Sequence, residues 1–280
     1  SMVTTSTHDT KRGEDARARI AVISEMPSEW QRAVTRWGRT LSRYKTISGA
    51  AMPSRKTEYL FYQALVGGWP FGWDGSGDRG PFLDRLLAYM EKAVREAKEE
   101  TSWTRPDADF EAALQRFVRS ALADESFVSD VAGFVARTEP HAVANALAQT
   151  VLRLTVPGVP DTYQGSELWN QSFVDPDNRR PVDFAARQAM LDEIARSQDD
   201  RLGLARRLMK DWPSGAIKLF ATRVGLELRG RMPDVFLRGD YDALPAGEHI
   251  VAFMRSHGAA RVAVLAGRLT CKLTGGDGRW

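Results

Sequence analysis

The chain has 280 residues, 43% of them hydrophobic and 27% charged, which fits folded globular material and excludes a disordered tail. Its 39 Lys and Arg against 36 Asp and Glu leave a net charge of +3. The basic residues are interleaved with acids rather than blocked, which argues against nucleic acid as a partner. The single cysteine, Cys271, cannot form an internal disulfide and suits a cytoplasmic home. No stretch approaches the ~20 apolar residues of a membrane span, so no membrane partner is expected.

In chain order, residues 3–7 read as the end of a strand, with His8 and Asp9 at its C-terminal lip. From Gly13 the pattern is helical, with Ile20 and Ile23 inward, until Pro27 ends or kinks it. Ser28 and Gln31 make a capping-box pattern for a second helix whose Trp30, Val34 and Trp37 share a face. Residues 40–56 read as loop, 57–66 as a short helix closed by Gly67 and Gly68, and 69–81 as a turn-rich loop. Leu83, Leu86, Leu87, Met90 and Val94 then keep helical spacing, and Asp107 caps a helix carrying Phe110, Leu114 and Phe117. Two more helical patterns cover Phe127 to Phe134 and His141 to Leu154, so that residues 45–155 are all-helical and hold the best-formed core. Residues 154–184 read as a short strand and a long structured loop, and loops of that length are usually functional. Helices resume over 185–194 and 202–212. Residues 217–228 fit another helix or the start of a strand, and 250–253 with 262–265 flank His257-Gly258 as a hairpin.

Three segments carry groups suited to chemistry. THDTKRGED (7–15) sets a carboxylate beside a histidine at a strand-to-helix junction, an arrangement suited to sugar hydroxyls. Its plainer reading makes Asp9 or Thr10 a helix cap and Lys11, Arg12, Glu14 and Asp15 a solvated first turn. GVPDTYQGSELW (158–169) offers Tyr163, Gln164 and Glu167, either as substrate contacts or as a structural loop pinned by an ion pair from Glu167 to Arg179 or Arg180. DPDNRRPVDF (175–184) sets Asp175, Asp177 and Asp183 against Arg179 and Arg180. It lacks the glycine and distant Glu of a calcium loop and reads as an internal salt-bridge lattice. Trp69, Trp73, Trp103 and Trp169 could stack on sugars or simply pack. His141, His249 and His257 are isolated, and no zinc spacing, phosphate loop or nucleophile elbow occurs, so no metal or cofactor is expected.

THDTKRGEDARARI, RKTEYLFYQALVGGWP, YMEKAVREAKEETSWTRP and PGVPDTYQGSELWNQSFVDPDNRRPVDF, in this order across residues 4–268, resemble the maltooligosyl trehalose synthase family of the α-amylase superfamily, glycoside hydrolase family 13. The resemblance implies a mainly α fold with some β: the C-terminal portion of a (β/α)8 barrel, a helical subdomain and a partial C-terminal β-domain. The implied division is 1–45 for barrel strand 7 and its helices, 46–155 for the helical subdomain, 156–232 for the last strand, rim loop and helices, and 233–280 for the β-domain. The implied activity converts the reducing-end α-1,4 bond of a maltooligosaccharide to an α,α-1,1 bond by intramolecular transglucosylation, without a cofactor. Asp9 is then the transition-state-stabilising carboxylate, His8 contacts the same sugar, and Lys11 and Arg12 lie near the reducing-end glucose. Tyr163, Gln164, Gly165 and Glu167 match the last barrel-strand motif at the active-site rim. In the family the nucleophile and acid/base precede the His-Asp motif, so the chain reads as a C-terminal part, inactive without the N-terminal barrel half. A trehalose-releasing hydrolase, maltooligosyltrehalose trehalohydrolase, is the implied pathway partner. The alternatives are a non-catalytic α-glucan-binding or interaction module, or another family 13 hydrolase or transglucosylase. The DTKRGED continuation after His8 favours the trehalose-forming branch.

Overall fold

The computed structural model describes residues 1–48 and 50–278 and is mainly helical. After β1 (Met2–Val3) come α1 (Glu14–Val22) and α2 (Pro27–Leu41), then the antiparallel pair β2 (Thr46–Ser48) and β3 (Ala50–Met52). Four helices follow: α3 (Arg55–Gly68), α4 (Gly80–Ala97), α5 (Ala108–Ala123) and α6 (Glu125–Thr155). From β4 (Val159–Pro160) a long loop leads to α7 (Phe184–Arg196), α8 (Arg201–Lys210), α9 (Ala216–Arg231) and α10 (Pro233–Leu237). The antiparallel sheet of β5 (Asp240–Ala243), β6 (Ile250–His257) and β7 (Ala260–Gly267) precedes α11 (Thr270–Leu273).

The main core is aromatic. Trp37 meets Tyr62, Phe127 and Phe134 at centroid distances of 5.4, 6.0 and 5.5 Å, each ring adding edge or tilted contacts to the burial term. This core joins α2 to α6 with the last turn of α1, and takes in Phe173 and Val174 from the long loop and Cys271 from α11. A smaller cluster of Ile194, Leu204, Leu208, Ile217 and Leu219 ties α7, α8 and α9 together.

Several expectations change. Gly67 and Gly68 lie inside α3 rather than closing it, because other chain segments press against that face. A Cβ on Gly67 would come 2.7 Å from Ile20 Cδ1, and one on Gly68 would overlap the Phe173 ring. The Ser28–Gln31 box does not form: α2 starts two residues earlier than that cap implies, at Pro27, whose missing N–H is harmless in a first turn. The two patterns after residue 124 are one helix of 31 residues running through Pro140. Packing of α6 on α1 and α9 outweighs the ~3 kcal/mol proline penalty. The expected loop at 40–56 contains the β2–β3 pair, which also breaks the all-helical stretch. Residues 217–228 are helical, the 257–258 hairpin forms between β6 and β7, and β5 and α11 are additional. Among the described residues no helix is long and apolar enough to cross a membrane.

Two short strands set up the site. β1 pairs in parallel with β4, Met2 opposite Val159 and Val3 opposite Pro160. The intervening chain is the long crossover that parallel pairing demands. The loops that leave the C-terminal ends of both strands therefore emerge side by side.

Candidate functional site

β1 is shorter than the strand read over residues 3–7 because threonine side chains capture the following backbone. Thr4 Oγ1 donates to Ser6 O (2.8 Å), and Thr7 N donates to Thr10 Oγ1 (2.8 Å). Such local bonds compete with a strand ladder and curl the chain into a turn. His8 and Asp9 sit at its tip. The Asp9 side chain is 84% exposed, and its Oδ2 lies 3.2 Å from His8 Nε2. Asn178, from the 175–184 segment, donates to His8 O (2.8 Å) and Thr7 O (3.3 Å) and holds the tip from behind. Lys11 Nζ donates to Glu96 at the end of α4 (2.7 Å), and that bond raises the ammonium pKa above its ordinary value. Arg12 forms a backbone bridge with Phe173, and its guanidinium lies 5.6 Å from the Tyr89 ring centroid. Its buried Nε and one Nη have no hydrogen-bond partner among the described residues. Gly13 N donates to Ser172 O (2.7 Å), and only a glycine fits there, since a Cβ would collide with Asn170 O.

The long loop is fixed by charge. Asp175 accepts from Lys92 (2.8 Å) and faces Arg179 (3.5 Å), while Asp177 faces Arg85 (2.7 Å) and Arg180 (3.0 Å). The lattice read from the sequence is present for these two acids, with α4 supplying its shortest partners. Lys92 keeps the Asp175 carboxyl below the usual carboxylate range. Asp183 stands outside the lattice and caps α7, accepting from Ala186 N (2.8 Å). Glu167 pairs with Arg187 Nε (3.0 Å), not with Arg179 or Arg180, which the two aspartates already engage. Gly165, at φ 86°, makes the turn in which Tyr163 O accepts from Ser166 N (3.0 Å). Gln164 is exposed beside a polar cavity of ≈ 190 Å³ that Trp169, Asn178, Arg180 and Arg187 also line. Two neighbouring groups thus arise. His8, Asp9, Lys11 and Arg12 stand against the 172–180 loop, Gln164 and Gly165 line the adjoining cavity, and Asn178 touches both.

The solvated first turn is incorrect for two residues. Glu14 and Asp15 are buried against Lys218 of α9, whose side chain is 0% exposed. Lys218 Nζ lies 2.6 Å from Glu14 Oε1 and 2.7 Å from Asp15 Oδ2, and donates to Leu168 O (3.2 Å). Burial pushes the Glu14 carboxyl up, yet Lys218 and the Thr5 hydroxyl bring it below its ordinary value. Asp15, fully enclosed, is raised by burial. Asn170 N donates to Asp15 Oδ2 (2.5 Å), so this cluster joins the His8–Asp9 segment to the rim loop. The signal available was a lone lysine in the apolar run AIKLF (216–220). Asn178 and Arg187 offered no comparable signal.

Of the four tryptophans, Trp69 and Trp73 lie against one another (4.6 Å), Trp169 packs on Phe71 (5.2 Å), and Trp103 is 57% exposed. Among the described residues no group of three or more His, Cys, Asp or Glu is placed to hold a metal ion.

No family model matches the chain. A curated relative from Mycobacterium tuberculosis, assigned to maltooligosyl trehalose synthase, is 40% identical over 259 residues, 91% of this chain and 30% of the relative. The solved maltooligosyltrehalose synthase from Arthrobacter ramosus superposes with a TM-score of 0.77 at 36% identity, across 99% of this chain and 33% of that one. Over nearly its whole length the chain is similar to one segment of maltooligosyl trehalose synthases. It spans about a third of the relatives it matches. A third maltooligosyl trehalose synthase, a hypothetical one from Sulfolobus tokodaii, shares the fold with a TM-score of 0.75 at 32% identity, covering 94% of this chain and 33% of that one. The mainly helical architecture with few strands matches that of a segment of these structures.

Proposed function

We propose that the chain is the C-terminal part of a maltooligosyl trehalose synthase, carrying the last two strands of a (β/α)8 barrel and one of three reacting carboxylates. The single observation that carries this reading is Asp9. Its exposed carboxylate lies beside His8 in the turn that follows the parallel strand β1, and Asn178 holds the backbone of that turn at Thr7 and His8. Catalytic groups of α/β barrels gather at that end of the strands. On this reading β1 and β4 are barrel strands 7 and 8, residues 46–155 are the helical subdomain, and 233–280 begin the β-domain.

The substrate is a maltooligosaccharide, whose reducing-end α-1,4 bond becomes an α,α-1,1 bond. An Asp nucleophile and a Glu acid/base supplied by the N-terminal barrel half open and reclose the glycosidic bond by a retaining route. Asp9 accepts hydrogen bonds from two adjacent hydroxyls of the distorted ring and stabilises its developing positive charge, while His8 contacts the same sugar. The released glucose must turn over without escaping. Lys11, anchored on Glu96, and Arg12 hold its hydroxyls. Tyr163, Gln164 and Glu167 contribute to the rim, Glu167 by fixing the turn through Arg187. The reaction runs in the cytoplasm without a cofactor, and a trehalose-releasing hydrolase consumes its product.

Without the nucleophile and the acid no glycosyl-enzyme forms, and losses of such groups reach several orders of magnitude in rate. The test incubates maltopentaose with this chain alone and with a chimera in which it replaces the matched third of the Arthrobacter ramosus enzyme. The chain alone yields no trehalose-ended product and the chimera does. Product from the chain alone, or none from a folded chimera, refutes the reading.

A further inference from the structure

The segment after α4 holds a tryptophan outward. Between residues 60 and 158, Trp103 is the sole exposed large hydrophobic side chain among the described residues. Its loop is stiff: Ser102 N donates to Arg105 O (3.1 Å), Arg105 N to Ser102 Oγ (3.0 Å), and Asp107 N to Thr101 Oγ1 (2.9 Å). The Arg95 guanidinium lies 4.7 Å from the ring centroid and backs one face of the indole. Arg95 is itself fixed by a two-pronged pair with Glu111 (2.8 and 2.6 Å) and by Glu91 (2.7 Å). The result is a pre-positioned aromatic plate with little conformational entropy left to lose on binding.

Its surroundings choose the ligand. A protein interface centres on a contiguous apolar patch, whereas Trp103 stands alone among the exposed Lys98, Glu99, Thr104 and Arg105. One flat apolar face on a segment rich in exposed polar side chains suits a pyranose, which has an apolar C–H face and a hydroxyl rim. The loop is anchored to neighbouring helices. It follows the helix end that anchors Lys11 through Glu96, and Glu99 and Glu100 of the same turn bind Lys56 and Thr57.

We propose that Trp103 is a stacking platform for an outer glucose unit of an α-1,4-glucan, separate from the groups around Asp9. The choice of glucan rests on the function proposed above. Native electrophoresis of this chain through gels containing soluble amylose tests it. The wild-type chain is retarded by amylose. Trp103→Ala binds about three- to tenfold more weakly, and Trp103→Phe, which keeps an apolar ring, retains most of the shift. A wild-type chain that runs unretarded, a Trp103→Ala chain retarded like wild type, or equal loss in both variants overturns the proposal. Product formation by the chimera is a separate readout, so failure of the platform and failure of the catalytic reading are told apart.

Discussion

Replacing Lys218 with Met removes the cation that contacts both buried carboxylates at the start of α1. Lys218 Nζ sits 2.6 Å from Glu14 and 2.7 Å from Asp15, with no solvent access to its side chain. Methionine fills a similar volume, so the change is electrostatic rather than a cavity. Deleting one partner of a buried charge cluster costs about 3–5 kcal/mol, because the remaining charges stay desolvated. At roughly 0.6 kcal/mol per degree for a chain of this length, the melting temperature falls by about 5–8 °C. The pH dependence has a definite sign. In the wild type the lowered Glu14 pKa contributes stability that is present above its unfolded pKa and is lost as pH falls through the folded value. In Lys218→Met the charge that most strongly lowers both carboxyls is gone, leaving burial opposed only by Thr5 and Arg153 at Glu14 and by Asn170 N–H at Asp15, so both titrate higher than in the wild type. Relative to wild type the variant then gains stability as pH falls through those raised values, and its deficit narrows from pH 7 toward pH 4. Thermal melts of both proteins across that range make the comparison. Adding Glu14→Gln and Asp15→Asn to Lys218→Met should recover more than half of the loss at pH 7. A deficit below about 1 kcal/mol, or one that widens in acid, would refute the reasoning.

Gly68→Ala should destabilise the chain by about 1–3 kcal/mol in urea melts, because its Cβ would overlap Phe173. Gly133→Ala, where nothing lies within 4 Å on α6, should instead stabilise by about 0.5–1 kcal/mol. Amide exchange should be slowest in α3, α5 and α6, around Phe61, Phe117 and Phe134, and faster in β5–β7. Better protection in the sheet would contradict the placement of the main core.

Helices with a one-sided apolar face were legible in the sequence, and Trp30, Val34 and Trp37 of α2 do lie against the main core. Local rules misled where a distant segment decided the outcome. Gly67 and Gly68 looked like a helix end, but Ile20 and Phe173 require bare backbone inside the helix. Residues 127–134 and 141–154 looked like two helices, but packing on α1 and α9 keeps α6 continuous through Pro140. The two motif segments were recognisable as chemistry-bearing strings. Their meeting was not, because Asn178 reaches His8 O across 170 residues and Lys218 reaches Asp15 across 203. The choice of Arg187 over Arg179 and Arg180 for Glu167 likewise depends on which arginines Asp175 and Asp177 already occupy.

The most direct measurement is the rate at which the chimera, carrying Asp9→Asn, forms the 1,1-linked product from maltopentaose. Asparagine keeps the size of the side chain and removes its charge. A carboxylate that stabilises a positively charged ring predicts a fall in kcat of at least about a thousandfold, with the melting temperature unchanged because Asp9 is solvent-exposed. A variant within tenfold of the wild-type rate would show that this carboxylate does not face the reacting sugar.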